Sequence, residues 1–453
     1  MSKPHDASAA LAALNALASD ALDRARAAGA DAADALAVES RARSATVRNG
    51  AVEEVNSAEG TDVSLRVFVG DRSAAVSVGP GADLAAAAER AVAMAKAAPP
   101  DPTVRLARDT EYAHVVDAGA LDLADGTAVS ADELTERAHA LETAMNRVPG
   151  VTNSGGASAS AVEAFRVLAT SEGFCGGYGG TRHSHGVTAV AGEGTRMERD
   201  SWYSSERHLE DLEDTAAVGR IAAERTVRRL GAEQLTTRTA PIVFDHRAAS
   251  GFVGHLLGAI NGSAVSRRAS IMAGRRGERV YPAGIDVVCD PTVPRGAASR
   301  PFDGEGLASA PLTLVRDGVL QAYLLDIATA ARLGETSNGR AARGGANPSP
   351  ASTNVAVAGG TGDLAALMAE LGSGMLVTDL IGMGANIVSG NYSRGAAGFW
   401  FEAGEIVHPV AEVTIAGDLA QMFARARFAD DAPGLYAVDA PAVAIEGMTI
   451  GGK

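Results

Sequence analysis

The second half of the chain, from Thr239 onward, consists mainly of short apolar stretches separated by clusters of Gly, Asn and Pro. Most of these stretches have the length of β-strands and are too short for helices. Of the 52 glycines, 31 lie in residues 241–453, where dense turns require them. Short strands leave edges that must be protected, so we expect a β-rich domain that is barrel- or sandwich-like. The predicted elements are a helix at 248–260 and strands at 242–244, 285–290, 312–316, 319–324, 354–357, 375–381, 386–390, 398–402, 405–408 and 411–416.

The first 230 residues follow a different plan, in which helices flank groups of strands. Asn49-Gly50 is a strong signal for a two-residue hairpin, because both residues tolerate positive φ. Ser130 and Glu133 form a capping-box pattern at the start of a helix. The plan occurs twice, which predicts two helix–meander–helix units and leaves duplication and coincidence both open. The predicted helices are 7–28, 83–98, 130–147 and 210–230, and the strands are 35–47, 52–57, 63–69, 72–78, 151–159, 162–170, 182–192 and 196–206.

The predicted fold class is therefore α+β, with an N-terminal α/β region and a C-terminal β-rich domain. We place the domains at 1–105, 106–235 and 236–453. The polar run EQLTTRT at 233–239 marks the last boundary.

Charge and composition exclude several classes of protein. The 40 basic and 55 acidic residues give a net charge of −15, which argues against a general nucleic-acid binder. Two cysteines without a CxxC motif indicate a reducing, cytoplasmic setting. We find no signal-peptide pattern and no apolar run approaching 18 residues, so we expect a protein that is neither secreted nor membrane-spanning.

Standard catalytic motifs are absent from the sequence: it has no P-loop, no GxGxxG, no GxSxG and no HExxH. His183 and His185 on one strand would point to the same face, and Cys175 could add a third metal ligand. The alternative is an exposed polar strand face beside a glycine-rich loop.

His255 lies on the apolar helix in the segment GFVGHLLGAINGS. A single histidine on such a helix is usually a packed core residue. Metal binding would require further ligands on the same face and a carboxylate to activate water. Leu256 and Ile260, on the same helix, can neither bind a metal nor activate water.

Asn391, Tyr392, Ser393 and Arg394 form a polar stretch that we interpret as a turn, followed by an apolar run. It is either a plain turn between barrel strands or part of a peptide- or partner-binding surface on which Arg394 pairs with a carboxylate.

Four segments carry a resemblance to a known family. The chain resembles the TldD/TldE (PmbA) family over nearly its whole length. The matching segments are SGNYSRGAAGFWFEAGEIVHPVAEVTIAGDL at 389–419, RPFDGEG at 300–306, SPASTNV at 349–355 and VRNGAVEEVNSAEGTDVSLRVFVGDRSA at 47–74.

The resemblance implies a bacterial cytoplasmic protein of a metalloprotease family. TldD members carry a zinc motif, HExxxH, on a helix and a cysteine ligand far downstream. At the equivalent helix this chain keeps His255 but has Leu256 and Ile260 at the other motif positions, and it has no cysteine after Cys289. The chain therefore resembles the TldE/PmbA subunit. We expect no catalytic residue and no metal in this chain, with His255 a vestigial ligand position, and zinc in a TldD-like partner.

Three hypotheses follow from the sequence. The first is a non-catalytic subunit of a heterodimeric TldD/TldE-type metalloprotease, active only within the complex, that degrades unfolded peptides or processes peptide precursors. The others are a self-sufficient hydrolase using His183, His185 and Cys175, and a structural homodimeric module.

We assign residues to the substrate or partner surface as predictions. Asn391, Tyr392, Ser393 and Arg394 are expected to line it. The carboxylates of Asp303 and Glu305 are expected either to form hydrogen bonds with the backbone around a cavity or to stabilise a loop. Arg340, with Arg343, is expected in a mobile loop at the interface.

Overall fold

The computed structural model describes residues 6–114 and 117–453. The N-terminal region contains two successive helix–meander–helix units, as predicted. The first unit comprises α1 (Ala7–Ala27), β1 (Ala32–Arg48), β2 (Ala51–Val69), β3 (Arg72–Val78) and α2 (Leu84–Ala97). The second comprises α3 (Ala131–Asn146), β4 (Val151–Thr170), β5 (Cys175–Ala191), β6 (Glu198–Glu206) and α4 (Thr215–Val227). Single-turn 3₁₀ helices lie at Asp109–Glu111, Gly119–Leu121, Gly194–Arg196 and Leu209–Asp211.

The two units share one antiparallel sheet with the strand order β3-β2-β1-β4-β5-β6. Each unit contributes three adjacent strands, and the units meet where β1 pairs with β4. All four helices pack on the same face of the sheet. Helices α1 and α2 cover one end of the long strands and α3 and α4 cover the other. The opposite face is left to pack against the C-terminal domain.

The strands are longer than the sequence predicts, because pairing continues where the apolar pattern stops. Strand β2 spans the predicted strands 52–57 and 63–69, although its first nine residues are exposed. Backbone pairing with β1 continues through this region. Strand β4 likewise joins 151–159 and 162–170, whereas α4 begins at Thr215 and is shorter than predicted.

Two local predictions in the N-terminal region are confirmed. Asn49 and Gly50 form the β1–β2 turn with φ values of 51° and 76°. The two carboxylate oxygens of Glu142 accept hydrogen bonds from the backbone N–H groups of these residues, at 2.8 and 2.7 Å. The capping box of Ser130 and Glu133 opens α3.

The C-terminal domain contains a closed five-stranded barrel, so of the two predicted forms the barrel is observed. The barrel order is β16-β15-β14-β7-β19, and pairing between β16 and β19 closes it. The elements are β7 (Arg238–Phe244), α5 (His246–Ala259), α6 (Gly262–Ser266), β8 (Asp286–Asp290), β9 (Leu312–Arg316), β10 (Val319–Leu320), α7 (Ile327–Leu333), β11 (Ala341–Ala342), β12 (Ser349–Pro350), β13 (Asn354–Ala358), α8 (Leu364–Leu371), β14 (Ser373–Ile381), β15 (Asn391–Glu402), β16 (Glu405–Asp418), α9 (Leu419–Arg425), β17 (Arg427–Phe428), β18 (Val438–Asp439) and β19 (Val443–Gly451).

Helix α5 shares one hydrophobic core with the barrel and with a second sheet of order β10-β9-β8-β13-β18. Glycine allows the barrel strands to bend at the point where β15 shifts register against β14 and β16. A Cβ atom at Gly398 would lie 1.9 Å from the carbonyl oxygen of Leu376. Part of the glycine excess is therefore required by close approach of strands.

The sequence missed several C-terminal elements. Helices α7, α8 and α9 were not predicted, since each is only seven or eight residues long. The predicted strand 386–390 is an irregular loop, and the predicted strand 319–324 is limited to β10. In the described residues, no helix is both long and apolar enough to cross a bilayer.

The open face of the N-terminal sheet packs against the C-terminal domain through a small aromatic core. Leu36 and Leu168 from the sheet contact a cluster that includes Phe174, Phe302 and Ile327. The ring of Phe174 stacks on Tyr112 with centroids 5.0 Å apart. The domains are thus joined by a continuous packed interface. We retain the boundaries at 105 and 235 as predictions.

Candidate functional site

Helix α5 and strand β15 bring the side chains of His255 and Tyr392 into contact. Asp245 caps α5 by accepting a hydrogen bond from the N–H of Ala248 at 3.0 Å. The rings of His255 and Tyr392 meet edge to face, with centroids 5.8 Å apart. Arg394, two residues further along β15, donates to the carbonyl oxygen of Leu380 at 3.3 Å.

The electrostatics of this cluster are unsuited to proton transfer at neutral pH. Burial and the nearby Arg394 cation lower the pKa of His255 to about 4. Burial raises the pKa of Tyr392 to about 12, against the opposing effect of Arg394. Both rings are therefore neutral at pH 7, and neither pKa is near the range that a general acid or base needs. The arrangement can bind a ligand by hydrogen bonding and charge but is not poised for catalysis.

The same cluster does not fit zinc. Nε2 of His255 is buried and lacks a hydrogen-bond partner among the described residues. Leu256 and Ile260, which stand at the other two motif positions, are fully buried in the apolar core. A catalytic zinc site needs three protein ligands, and the Arg394 guanidinium would repel a divalent cation. Within residues 6–114 and 117–453, no group of three or more His, Cys, Asp or Glu residues could hold a metal ion.

The stretch 391–394 is the first part of β15 and not a turn, which corrects the sequence interpretation. Its residues alternate as a strand requires. Asn391 and Ser393 are exposed, Tyr392 is buried, and Arg394 is partly buried. The prediction that these residues line a substrate or partner surface remains a prediction, and two of the four side chains face outward.

An apolar loop lies directly beside this strand. In residues 381–390, the side chains of Ile381, Met383 and Val388 are 64%, 101% and 58% exposed. The loop is held against β15 by two backbone hydrogen bonds, from Ser393 to Gly384 at 2.7 Å and from Asn386 to Asn391 at 2.8 Å. It therefore presents apolar side chains to solvent at a defined position.

Two clefts adjoin the cluster and share Asp379 and Leu380. The smaller, of about 220 Å³, includes Arg247 and Arg394 in its lining. The larger, of about 1080 Å³, lies between the second N-terminal unit and the barrel. Arg229 spans it by donating to the Asp379 carboxylate at 3.3 Å. Together the clefts are large enough to hold a short peptide.

Asp303 and Arg340 are buried, which corrects their predicted place at a surface. Asp303 is 2% exposed, and its carboxylate accepts hydrogen bonds from the N–H groups of Glu305, Leu307 and Ala341. Arg340 can be fully buried because its guanidinium donates hydrogen bonds to four backbone carbonyl oxygens. These acceptors belong to Asn338, Gly339, Cys289 and Ala310.

Glu305 and Arg343 lie in a neighbouring buried cluster of ionisable groups, so Arg343 is not exposed as a residue of a surface loop would be. Arg343 is 2.6 Å from the Asp34 carboxylate. Asp34 also pairs with Arg66, whose Nε donates at 2.9 Å. Asp34 and Arg66 were not predicted from the sequence as members of this cluster. The sequence feature that could have identified them is a charged residue within an otherwise apolar strand. A charged residue buried in this way needs a partner of opposite charge.

His183 and His185 do share one face of β5, but that face is buried and not exposed. Their side chains are 3% and 2% exposed. His183 lies 3.3 Å from the Asp125 carboxylate. Cys175 begins the same strand eight residues earlier, which places it about 27 Å from His183 at the rise of a β-strand. The three residues therefore cannot form a metal or catalytic site.

Three family models cover most of the chain. They are PmbA/TldA metallopeptidase domain 1 at residues 33–95, the central domain at 124–230 and the C-terminal domain at 237–452. Together with the barrel and the sheet of two repeated units, these matches show that the chain belongs to the PmbA/TldD family of metallopeptidases.

Individual relatives agree with this assignment. Metalloprotease PmbA of Escherichia coli O157:H7 is 36% identical over 84% of this chain and 83% of its own length. The PmbA homologue of Haemophilus influenzae is 33% identical over 89% of both chains. The crystal structure of TldE from Thermococcus kodakarensis has a TM-score of 0.83 at 20% identity and covers 96% of this chain and 99% of its own. That likeness supports the fold.

Proposed function

We propose that this chain is the subunit without a metal site in a two-chain TldD/TldE-type peptidase of the bacterial cytoplasm. A TldD-like partner would hold the zinc and cleave the peptide bond. This chain would bind the partner and help to hold unfolded peptides or peptide precursors. Relatives over most of the chain are named metalloproteases, and a TldD homologue of Haemophilus influenzae also matches 44% of this chain.

The observation that carries the proposal is the helix bearing His255. At two of the three defining positions of the HExxxH zinc motif, this helix has the aliphatic residues Leu256 and Ile260, and both are fully buried. The remaining imidazole lies beside the Arg394 cation. These side chains support the proposal that zinc is held by the partner, and the adjacent clefts and the exposed 381–390 loop suit binding of a peptide and a protein partner.

The proposal predicts different behaviour for the chain alone and in complex. The chain and the TldD-type protein of the same genome should be purified separately and after co-expression. We expect zinc and cleavage of an unfolded peptide only when the TldD-type chain is present, and light scattering should show a one-to-one complex. Stoichiometric zinc and cleavage by the isolated chain would overturn the proposal, and so would a stable homodimer that excludes the TldD-type protein.

A further inference from the structure

An arginine-rich segment borders a cavity on the side of the C-terminal domain formed by α6 and α7. Residues 267–279 contain five arginines, although the whole chain has a net charge of −15. The cavity has a volume of about 900 Å³. Its lining includes Arg268 and Arg276 from this segment and Arg332 from α7, with Glu335 opposing them. The cavity is therefore basic in an acidic protein.

The backbone that carries these arginines is held in place by buried hydrogen bonds. The Ser270 hydroxyl donates to the carbonyl oxygen of Ala259 at 2.5 Å and accepts from the N–H of Met272 at 3.0 Å. The Tyr323 hydroxyl donates to the carbonyl oxygen of Met272 at 2.9 Å. The segment is thus preorganised, which lowers the entropic cost of binding a ligand.

The cationic groups of the cavity are available to an anionic ligand. Arg268 is exposed and forms no ion pair with the described residues. Arg332 is paired with Asp101 at 2.7 Å, but both side chains are about 40% exposed. Arg276 is paired with Glu335, and these side chains are 46% and 23% exposed. Such exposed pairs contribute little free energy, so an incoming carboxylate can replace the resident one.

A hydroxyl donor adds to this arrangement. The Ser266 hydroxyl lines the same cavity and is buried without a hydrogen-bond partner in the described part of the chain. A buried polar group of this kind is expected to find a partner, either in a ligand or in water. Its position among arginines favours an acceptor that carries negative charge.

We propose that this cavity binds a short acidic peptide segment through Arg268, Arg276 and Arg332. Guanidinium groups bind carboxylates through paired, charge-assisted hydrogen bonds, and the resident partners of Arg276 and Arg332 are themselves carboxylates. The cavity is larger than a single small anion needs and falls within the size range of peptide and ligand sites. The biological setting rests on the proposed peptide-handling function, but the binding is a property of this chain alone.

Fluorescence anisotropy of labelled hexaglutamate with the full chain tests the proposal, with hexaglutamine as the uncharged peptide. We expect hexaglutamate alone to bind, and binding to weaken as salt is raised. Arg268→Gln should weaken binding about tenfold because charge-assisted hydrogen bonds are lost, and the double variant with Arg276→Gln should weaken it further. Arg26→Gln is the matched control, since this arginine is 71% exposed on α1. It should leave binding unchanged.

Three outcomes would overturn the proposal: no binding of hexaglutamate, equal binding of both peptides, or equal affinity in Arg268→Gln and the parent chain. Inorganic pyrophosphate serves as the competing small anion. If it binds at this cavity while hexaglutamate does not, the site is one for small anions and the proposal is wrong. None of these measurements involves zinc or cleavage, so their failure is distinguishable from failure of the proposed function.

Discussion

The guanidinium of Arg343 lies 2.6 Å from a carboxylate oxygen of Asp34, and both side chains are 2% exposed. The contact joins a loop of the C-terminal domain to the first strand of the N-terminal sheet. Burial alone would raise the pKa of Asp34, but Arg343 and Arg66 hold this pKa below its usual value. The domain interface therefore contains a carboxylate that stays ionised because two guanidinium groups flank it.

Removing one member of this cluster should destabilise the whole chain. Arg343→Met leaves Asp34 with a single cation, and we expect the free energy of unfolding to fall by about 3 kcal/mol, as for other broken buried pairs. Urea unfolding measures this change. Arg220→Met is the control, since its pair with Glu224 on α4 is half exposed. This substitution should lower the free energy of unfolding by less than about 1 kcal/mol. Equal losses in the two variants would contradict the assignment of a buried interdomain pair.

Glu305 should make stability depend on pH in the direction opposite to an ordinary ion-paired carboxylate. Burial and the neighbouring Asp303 raise the pKa of Glu305 well above its usual value of 4.5. As pH rises above 4.5, the unfolded chain releases this proton first, so the folded state binds more protons and the stability contribution falls. Glu305→Gln cannot titrate. Its free energy of unfolding should therefore increase relative to the parent chain as pH rises.

Urea unfolding of both proteins from about pH 5 to pH 8 measures this difference. Glu111→Gln is the matched control, because Arg105 lowers the pKa of Glu111. Its difference from the parent chain should stay constant over the same range. Parallel stability curves for Glu305→Gln and the parent would refute the raised pKa.

The sequence predicts local structure well where a residue pair is compatible with only one backbone conformation. Asn49-Gly50 indicates its turn because few other pairs adopt positive φ twice. Short strands whose edges must be covered predict a barrel or a sandwich, and the structure shows the barrel. Arg340 shows the limit: it stands in a polar, glycine-rich segment typical of a surface loop, yet it is buried. Only the folded chain brings its carbonyl acceptors together, and no local pattern records them.

The strand at 391–394 shows the same limit within the candidate site. Polar residues and glycine suggest a turn, but all four residues pair with β16, which makes this segment a strand. Tertiary pairing overrides local preference here. The single His255 was readable from the sequence, whereas its contact with Tyr392 and the opposing charge of Arg394 depend on the closed barrel.

The low pKa of His255 depends in part on Arg394, so Arg394→Met should raise it. Burial accounts for most of the lowering to about 4, and loss of the nearby cation removes the remaining electrostatic effect. Nuclear magnetic resonance titration of labelled histidine rings measures the change. His183 is the internal control, since burial lowers its pKa and the charged groups that act on it are Asp125, Arg137 and His208 and not Arg394. An unchanged titration of His255 would show that Arg394 does not act on the imidazole.

The exposed 381–390 loop is expected to form part of the contact with the proposed TldD-type partner. Met383 is fully exposed, and Ile381 and Val388 of the same loop also expose apolar side chains that binding of another protein would bury. Met383→Asp places a charge there and should weaken a complex with the TldD-type chain at least about tenfold, because an unpaired charge would be desolvated at the interface. Surface plasmon resonance or co-purification measures the loss.

A matched variant separates this effect from a general effect of surface charge. Val52 is also apolar and 48% exposed, but it lies at the β1–β2 hairpin of the N-terminal sheet. Val52→Asp should leave the complex intact, and both variants should unfold at the temperature of the parent chain. If Met383→Asp binds the partner as tightly as Val52→Asp, the loop is not the contact, and the partner surface must lie elsewhere on the chain.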